Sequence, residues 1–163
     1  MGVVPTPAVA YVAGNQEFDL GVVLSASHNP YADNGIKVFS GRGEKFGEAE
    51  ERAVEAVVHD RTWALPPDAQ NAVATPAPQL LDAYLQHVGA LLPAPMRLRG
   101  ARMAIDMANG ATTATAARVL KGLGFELECV GDQPDGRNIN LECGSTHPVR
   151  LARVVIERQC RLG

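Results

Sequence analysis

Between residues 25 and 37 the chain reads Ser-Ala-Ser-His-Asn-Pro, then Tyr-Ala, then Asp-Asn-Gly-Ile-Lys. Two serine hydroxyls, an imidazole, two amides and an ammonium fall within thirteen positions. These groups suit work on an anion: a hydroxyl that attacks or carries it, and cations that neutralise and orient it. Pro30 and the Asp33-Asn34-Gly35 turn fix the shape of such a loop. Two common serine or phosphate motifs are absent. Gly-x-Ser-x-Gly does not occur, so this is not a nucleophile elbow. Gly-x-x-x-x-Gly-Lys-Ser/Thr does not occur either, and the Gly41-Arg-Gly-Glu-Lys45 stretch does not fit a P-loop. On the residues alone, a working polar loop competes evenly with an ordinary surface turn capped by a serine.

The elements that must position this loop follow from apolar spacing. Leu20–Leu24 is a short apolar run of strand length, so Ser25 and Ser27 lie just past its C-terminal end, where ligands gather in α/β folds. Residues 35–40 return to strand character through Ile36, Val38 and Phe39. Upstream, Thr6-Pro7 predicts a helix start with Thr6 as the cap, running through Ala8, Val9 and Val12 towards Gly14-Asn15. Residues 47–60 read as a helix with Ala49, Ala53 and Val57 on one face.

A change of composition at 63–78, with Pro66, Pro67, Pro76 and Pro78, predicts a linker. A helix follows over 79–92, striped by Leu81, Leu85, Val88 and Leu92 with Tyr84 and Leu91 beside them, and is stopped by Pro93 and Pro95. Residues 103–106 end a strand, and Asn109-Gly110 turns. Thr112 or Thr113 caps a helix carrying Ala116, Ala117, Leu120 and Leu123, with Gly124 as its stop. Residues 125–130 form another strand, 131–147 a long polar loop, and Pro148 opens a last helix through Leu151, Val154 and Val155. The alternation specifies an α/β fold.

Bulk properties remove other classes. The 163 residues carry 15 basic and 18 acidic side chains, a formal charge of −3, with no basic arm or stripe, so nucleic acid is not an expected partner. Cys129, Cys143 and Cys160 are odd in number and widely spaced, which fits reduced thiols in a cytoplasmic setting rather than a disulfide framework or zinc site. No apolar run approaches the ~20 residues a membrane-spanning helix needs. The start, from Met1 to Pro5, has no signal-peptide pattern.

The Ser-Ala-Ser-His-Asn-Pro loop with Asp-Asn-Gly-Ile-Lys downstream resembles the phosphoserine loop of the α-D-phosphohexomutase superfamily. The flanks resemble its phosphoglucosamine mutase branch. Val-Pro-Thr-Pro-Ala-Val-Ala-Tyr at 4–11 is similar to the helix start before that loop. Ile-Asp-Met-Ala-Asn-Gly-Ala at 105–111 is similar to the first strand and turn of the second domain. Asn-Ile-Asn-Leu-Glu-Cys-Gly-Ser-Thr-His-Pro at 138–148 is similar to a long loop later in that domain. The resemblance runs in order along nearly the whole chain.

The resemblance implies two incomplete α/β domains, each a mixed sheet packed with helices. Residues 1–77 would be part of domain 1, with the phosphoserine loop. Residues 78–163 would be part of domain 2, ending before the metal-binding loop. It implies an isomerase of amino-sugar metabolism that interconverts glucosamine 6-phosphate and glucosamine 1-phosphate through a bisphosphate. Phosphomannomutase or phosphoglucomutase, and an inactive relic that keeps only the fold, are the alternatives.

The serine directly before His-Asn-Pro, Ser27, would carry the phosphoryl group, with Ser25 as the competing hydroxyl. Lys37 would act as acid/base or transition-state cation, the alternative being a solvated strand lysine. His28 would orient the phosphate, the alternative being a ring packed in the loop. Asn29 would hold the loop through its side chain. Asp106, Asn109, Ser145, Thr146 and His147 read as structural, and Arg42 and Lys45 as solvated.

One Mg²⁺ is implied, with the Ser27 phosphate as a ligand and its aspartate ligands outside this chain, because no Asp-x-Asp-x-Asp occurs here. An activating hexosamine bisphosphate and a hexosamine phosphate substrate complete the implied set. As a piece of such an enzyme, the chain is expected to expose apolar surface and a sheet edge, to associate readily and to lack activity alone.

Overall fold

The structure, a computed structural model, describes residues 1–60, 62, 64, 66, 69, 73–91 and 98–163. Of the expectations above, Trp63, Pro67, Leu92, Pro93 and Pro95 lie outside the described residues.

Helix α1 (Thr6–Asn15) leads into the antiparallel pair β1 (Leu20–Leu24) and β2 (Ile36–Ser40). Ala8, Val12 and Ala13 are buried, and they lie over the sheet face that carries Gly21, Val23 and Phe39. The approach is close enough that a Cβ at Gly21 would meet Val9 Cγ1 at 3.0 Å and Ala13 Cβ at 3.1 Å. Burying such side chains contributes about 1.5–3 kcal/mol each for the larger aliphatics. The cap is corrected: Pro5 occupies the N-cap position, Thr6 is the first helical residue, and Ala8 N donates to Pro5 O at 2.9 Å. The Ala8 N–H that a Thr6 cap would bind is taken by Pro5 O, and the missing N–H of Pro7 costs nothing in a first turn.

Helix α2 (Glu48–His59) matches its expected span but buries no residue, so its Ala49–Ala53–Val57 face is open to solvent. Glu48, Glu50 and Glu51 in its first turn complement the helix dipole. Lys45, expected to be solvated, pairs with Glu51 at 2.8 Å while remaining half exposed. Arg42 likewise pairs with Glu44 at 3.0 Å on the surface. Exposed pairs of this kind add little to stability.

Helix α3 (Leu80–Leu91) bridges the two halves. Tyr11 of α1 stacks on His87 at 4.4 Å and tilts against Tyr84 at 6.0 Å. Asp82 pairs with Arg118 at 3.0 Å.

Strand β3 (Arg102–Asp106) pairs in parallel with β4 (Glu126–Val130), and the crossover runs through a 3₁₀ turn at Ala111–Ala114 and α4 (Ala116–Gly122). A second cap is corrected here. The 3₁₀ turn takes up Thr112 and Thr113, and Thr115 holds the N-cap position of α4, its hydroxyl donating back to Thr112 O rather than into the helix. Helix α5 (Pro148–Glu157) packs on β3, and Leu162 returns to bridge Met103. The second core holds Ala104, Met107, Leu123, Phe125, Val130 and Cys143.

The α/β class is as the resemblance implies. Among the described residues one sheet is purely antiparallel and the other purely parallel, each of two strands; isolated bridges from Lys45 and Leu162 cover part of the outer edges of β2 and β3, and the outer edges of β1 and β4 are open. The outward face of the first sheet is apolar and exposed: Leu20 55%, Val22 56%, Leu24 78%, Ile36 68%. Total accessible surface is 11467 Å², against roughly 7,800 Å² for a compact monomer of this mass. No helix among the described residues is long and apolar enough to cross a membrane.

Candidate active site

The loop between β1 and β2 closes where the ladder ends. Ser25 N donates to Gly35 O at 2.9 Å, and a Cβ at Gly35 would lie 2.7 Å from Ser25 O, so only glycine lets the two loop arms come this close. Ser25 turns its hydroxyl back to accept from Ser27 N at 3.2 Å. Its oxygen is thereby engaged locally, at the end of the strand. Ser27 itself has φ +62, the left-handed region, at a cost of roughly 1–3 kcal/mol for a residue with a side chain. Its side chain is exposed.

His28 is exposed, with no ring stacking or hydrogen bond among the described residues, so it is not packed in the loop. Lys37 is half-buried and sits opposite Val23, on the sheet face that α1 covers, with no ion pair among the described residues. Asn29 holds the loop by its backbone, correcting the expectation of side-chain bonds: its N–H donates to Ala26 O at 3.3 Å, and its carbonyl accepts from Asn140.

A cleft of about 980 Å³ opens beside this loop. All five residues of β1 line it and none of β2 does, so it follows the free edge of β1. Ser25, Ser27 and Asn29 line it on one side, Asn109, Gly110 and Ile139 on the other. The cleft therefore brings Ser27 and Asn29 together and leaves His28 and Lys37 outside its lining.

The far wall is built on Asp106, at the C-terminal end of β3. Its carboxylate accepts from Ala108 N and from Gly144 N, both at 2.8 Å. Asn109 donates to Asn138 O at 3.3 Å and to Cys143 Sγ at 3.7 Å, and accepts from Gln133 N at 3.1 Å. These two residues fix the turn and the 131–147 loop, the structural role read for them. Within that loop Asp135 accepts from Arg137 N and Asn138 N, which holds its carboxyl below the ordinary aspartate value. Burial, with the Asp106 charge added, pushes the Cys143 thiol up and keeps it neutral. Ser145, Thr146 and His147 are exposed, and His147 N donates to Gly144 O at 3.0 Å as the chain enters α5.

Asn140 was not singled out from the sequence. Its amide donates to the carbonyls of Ser27 at 3.4 Å and Asn29 at 3.0 Å, 113 and 111 residues away. Its signals in the sequence are its place in the Asn-Ile-Asn stretch at 138–140 and a residue type that tolerates its φ of +59.

Among the described residues no three of His, Cys, Asp or Glu gather as a metal site. Ser27 could give one oxygen, through a phosphate, and that alone does not hold a cation.

Residues 1–64 match the family profile described as phosphoglucomutase/phosphomannomutase, alpha/beta/alpha domain I. Curated proteins named phosphoglucosamine mutase align with the chain end to end. That of Sulfurovum sp. is 39% identical, covering 100% of this chain and 37% of its own length. That of Cutibacterium acnes is 42% identical, covering 100% and 36%. The chain thus spans little more than a third of the length of these relatives. Among solved structures, a phosphoglucomutase/phosphomannomutase family protein from Burkholderia thailandensis superposes with TM-score 0.67 at 24% identity, over 94% of this chain and 33% of that one. An N-acetylphosphoglucosamine mutase from Aspergillus fumigatus, in complex with GlcNAc-6P and magnesium, gives 0.56 at 17%, over 91% and 42%. These two likenesses speak to the fold.

Proposed function

We propose that this chain, which belongs to the phosphohexomutase family, carries the phosphoryl-bearing serine of a phosphoglucosamine mutase, and that Ser27 is that serine. The observation that carries the reading is the exposed Ser27 hydroxyl, on a left-handed backbone, at the wall of the 980 Å³ cleft. Ser25 is a poorer candidate because its oxygen is engaged with Ser27 N.

The reaction would be two transfers. The C1 hydroxyl of glucosamine 6-phosphate attacks phosphorus on phosphorylated Ser27. The bond from phosphorus to Oγ breaks, Oγ gains a proton and the C1 hydroxyl loses one. The bisphosphate turns round, Ser27 Oγ attacks the 6-phosphoryl group and loses its proton, the bond from phosphorus to O6 breaks with O6 taking a proton, and glucosamine 1-phosphate leaves with the phosphoserine restored. A phosphoryl group in flight is anionic, so catalysis is positioning and charge neutralisation. Lys37, on the strand leaving the loop, is proposed as the proton-transferring or charge-neutralising cation, and His28 as a phosphate-orienting group. Both must reach the reacting atoms from outside the cleft lining, which their exposed or half-exposed side chains allow.

Magnesium is proposed for the whole protein, where it would neutralise transferring phosphate. Within this chain only the Ser27 phosphate is assigned to it. A hexosamine bisphosphate would load the serine. The substrate is a hexosamine phosphate rather than mannose or glucose phosphate because the matched curated relatives at 39–42% identity carry the glucosamine name. The domain I profile itself admits the other sugars. A boundary between a first unit, 1–77, and a second, 78–163, is proposed from the two separate sheets, with α3 packed on α1 of the first and α4 of the second. A cytoplasmic setting suits the three unpaired cysteines.

The test is phosphopeptide mapping after incubation of the gene product that carries this sequence with glucosamine 1,6-bisphosphate and Mg²⁺. Phosphate on Ser27, absent in Ser27→Ala, is the expected result. Phosphate on Ser25, or none, overturns the assignment.

A further inference from the structure

We infer that Asn140 is a positioning residue for Ser27: its side-chain amide clamps the main chain of the 25–30 loop in the left-handed turn that presents the hydroxyl to the cleft. The inference rests on the reading of Ser27 as the phosphoryl carrier.

Short bonds close the loop at its ends, Ser25 N to Gly35 O at 2.9 Å and Asp33 N to Pro30 O at 3.0 Å, while the local bonds around Ser27 are longer. Ser27 N to Ser25 Oγ is 3.2 Å and Asn29 N to Ala26 O is 3.3 Å. Among the described residues, the hydrogen bonds that reach the loop from outside the β1–β2 hairpin come from Asn140, to Asn29 O at 3.0 Å and Ser27 O at 3.4 Å. The two carbonyls flank His28. Holding them orients the 27–28 and 29–30 peptide planes, so the chain that leaves the left-handed Ser27, φ +62, is tethered on both sides of the His28–Asn29 step. The contacts are to main chain, so they dictate loop shape and leave the side chains of Ser27 and His28 free for phosphate.

The clamp is anchored. Asn140 N donates to Ala108 O at 2.9 Å, and Ala108 N is held by Asp106 Oδ1 at 2.8 Å. The other Asp106 oxygen holds Gly144 N. A continuous path of hydrogen bonds thus runs from the end of β3 to the nucleophile loop at the end of β1. A side chain 113 residues away sets the posture of the reacting hydroxyl.

Two variants separate backbone from amide. Asn140→Gly keeps the left-handed conformation without strain and removes the donors. Asn140→Asp keeps the shape and turns a carboxylate onto two carbonyls. In the gene product that carries this sequence, amide hydrogen exchange is measured at residues 26–29 of the unphosphorylated protein, with kcat and KM for glucosamine 6-phosphate. Both variants are expected to speed exchange in the loop by about tenfold or more. Both should lower kcat by about 10–100-fold with KM within about twofold, Asn140→Asp being the worse. Asn140→Gly is expected to melt with the unsubstituted protein, which a general loss of folding would not allow. Loop exchange and kcat unchanged in both variants would overturn the clamp. The two readings fail separately. Full activity in Ser27→Ala removes the phosphoserine assignment, and loop exchange still decides whether Asn140 holds the turn.

Discussion

Replacing Asp106 by asparagine changes one atom and tests how the second half of the chain is organised. Each carboxylate oxygen of Asp106 accepts one backbone N–H, Ala108 and Gly144, at 2.8 Å. The residue is half-buried, and hydrogen bonds to charged groups contribute about 1.5–3 kcal/mol. Asparagine keeps one oxygen acceptor and must turn its NH₂ onto the other N–H. One charge-assisted bond is lost and a donor is left unpaired. The expected loss is about 3 kcal/mol. For a chain of this length that lowers Tm by roughly 6–12 °C, read by thermal denaturation at low protein concentration. The effect should be directional as well as global. Amide exchange should rise first at Ala108 and Gly144, then at 27–29, because Asn140 hangs on Ala108 O. A Tm within about 1 °C of the unsubstituted chain, with unchanged exchange at both amides, would refute the assignment of Asp106 as the anchor.

Gly35→Ala places a methyl 2.7 Å from Ser25 O, and is expected to destabilise by about 1–3 kcal/mol and to release the Ser25 amide to exchange. An unchanged melting curve would contradict it. Asp135 titrates below the ordinary aspartate value because Arg137 N and Asn138 N bind its ionised form. A depressed folded pKa means the stabilising contribution is present above the unfolded pKa, about 3.9, and is lost as pH falls through the folded value. An NMR titration should give an Asp135 midpoint below about 3.9, with amide shifts at Arg137 and Asn138 following it. A midpoint at or above that value would contradict the turn. The exposed face formed by Leu20, Val22, Leu24 and Ile36, beside the open edge of β1, is expected to drive association of the chain at micromolar concentration. Leu24→Lys with Ile36→Lys should raise the monomer fraction in sedimentation velocity, and no change would sink that expectation.

The local parts of this architecture were legible because local rules decide them. Leu20–Leu24 and Ile36–Ser40 are strands on apolar spacing, and Asp33-Asn34-Gly35 marks the turn between them. The caps were not, because Pro5 and Thr115 won their positions through chain geometry rather than side-chain bonding. The shared face of Ala49, Ala53 and Val57 on α2 was legible, yet periodicity records only which residues share a side, and among the described residues nothing buries that side. Asn29 was given a side-chain role that the backbone performs. Asn140 lay beyond sequence reasoning for a plainer reason. Its partners are 111 and 113 residues away, and no spacing rule spans two sheets.

Mutase kinetics of Ser27→Ala, in the gene product that carries residues 1–163, go straight to the proposal that this hydroxyl relays a phosphoryl group. Loss of glucosamine 6-phosphate conversion by at least about a thousandfold, with Ser25→Ala retaining most of it, is the expected outcome. Conversion undiminished without the Ser27 hydroxyl would contradict the account.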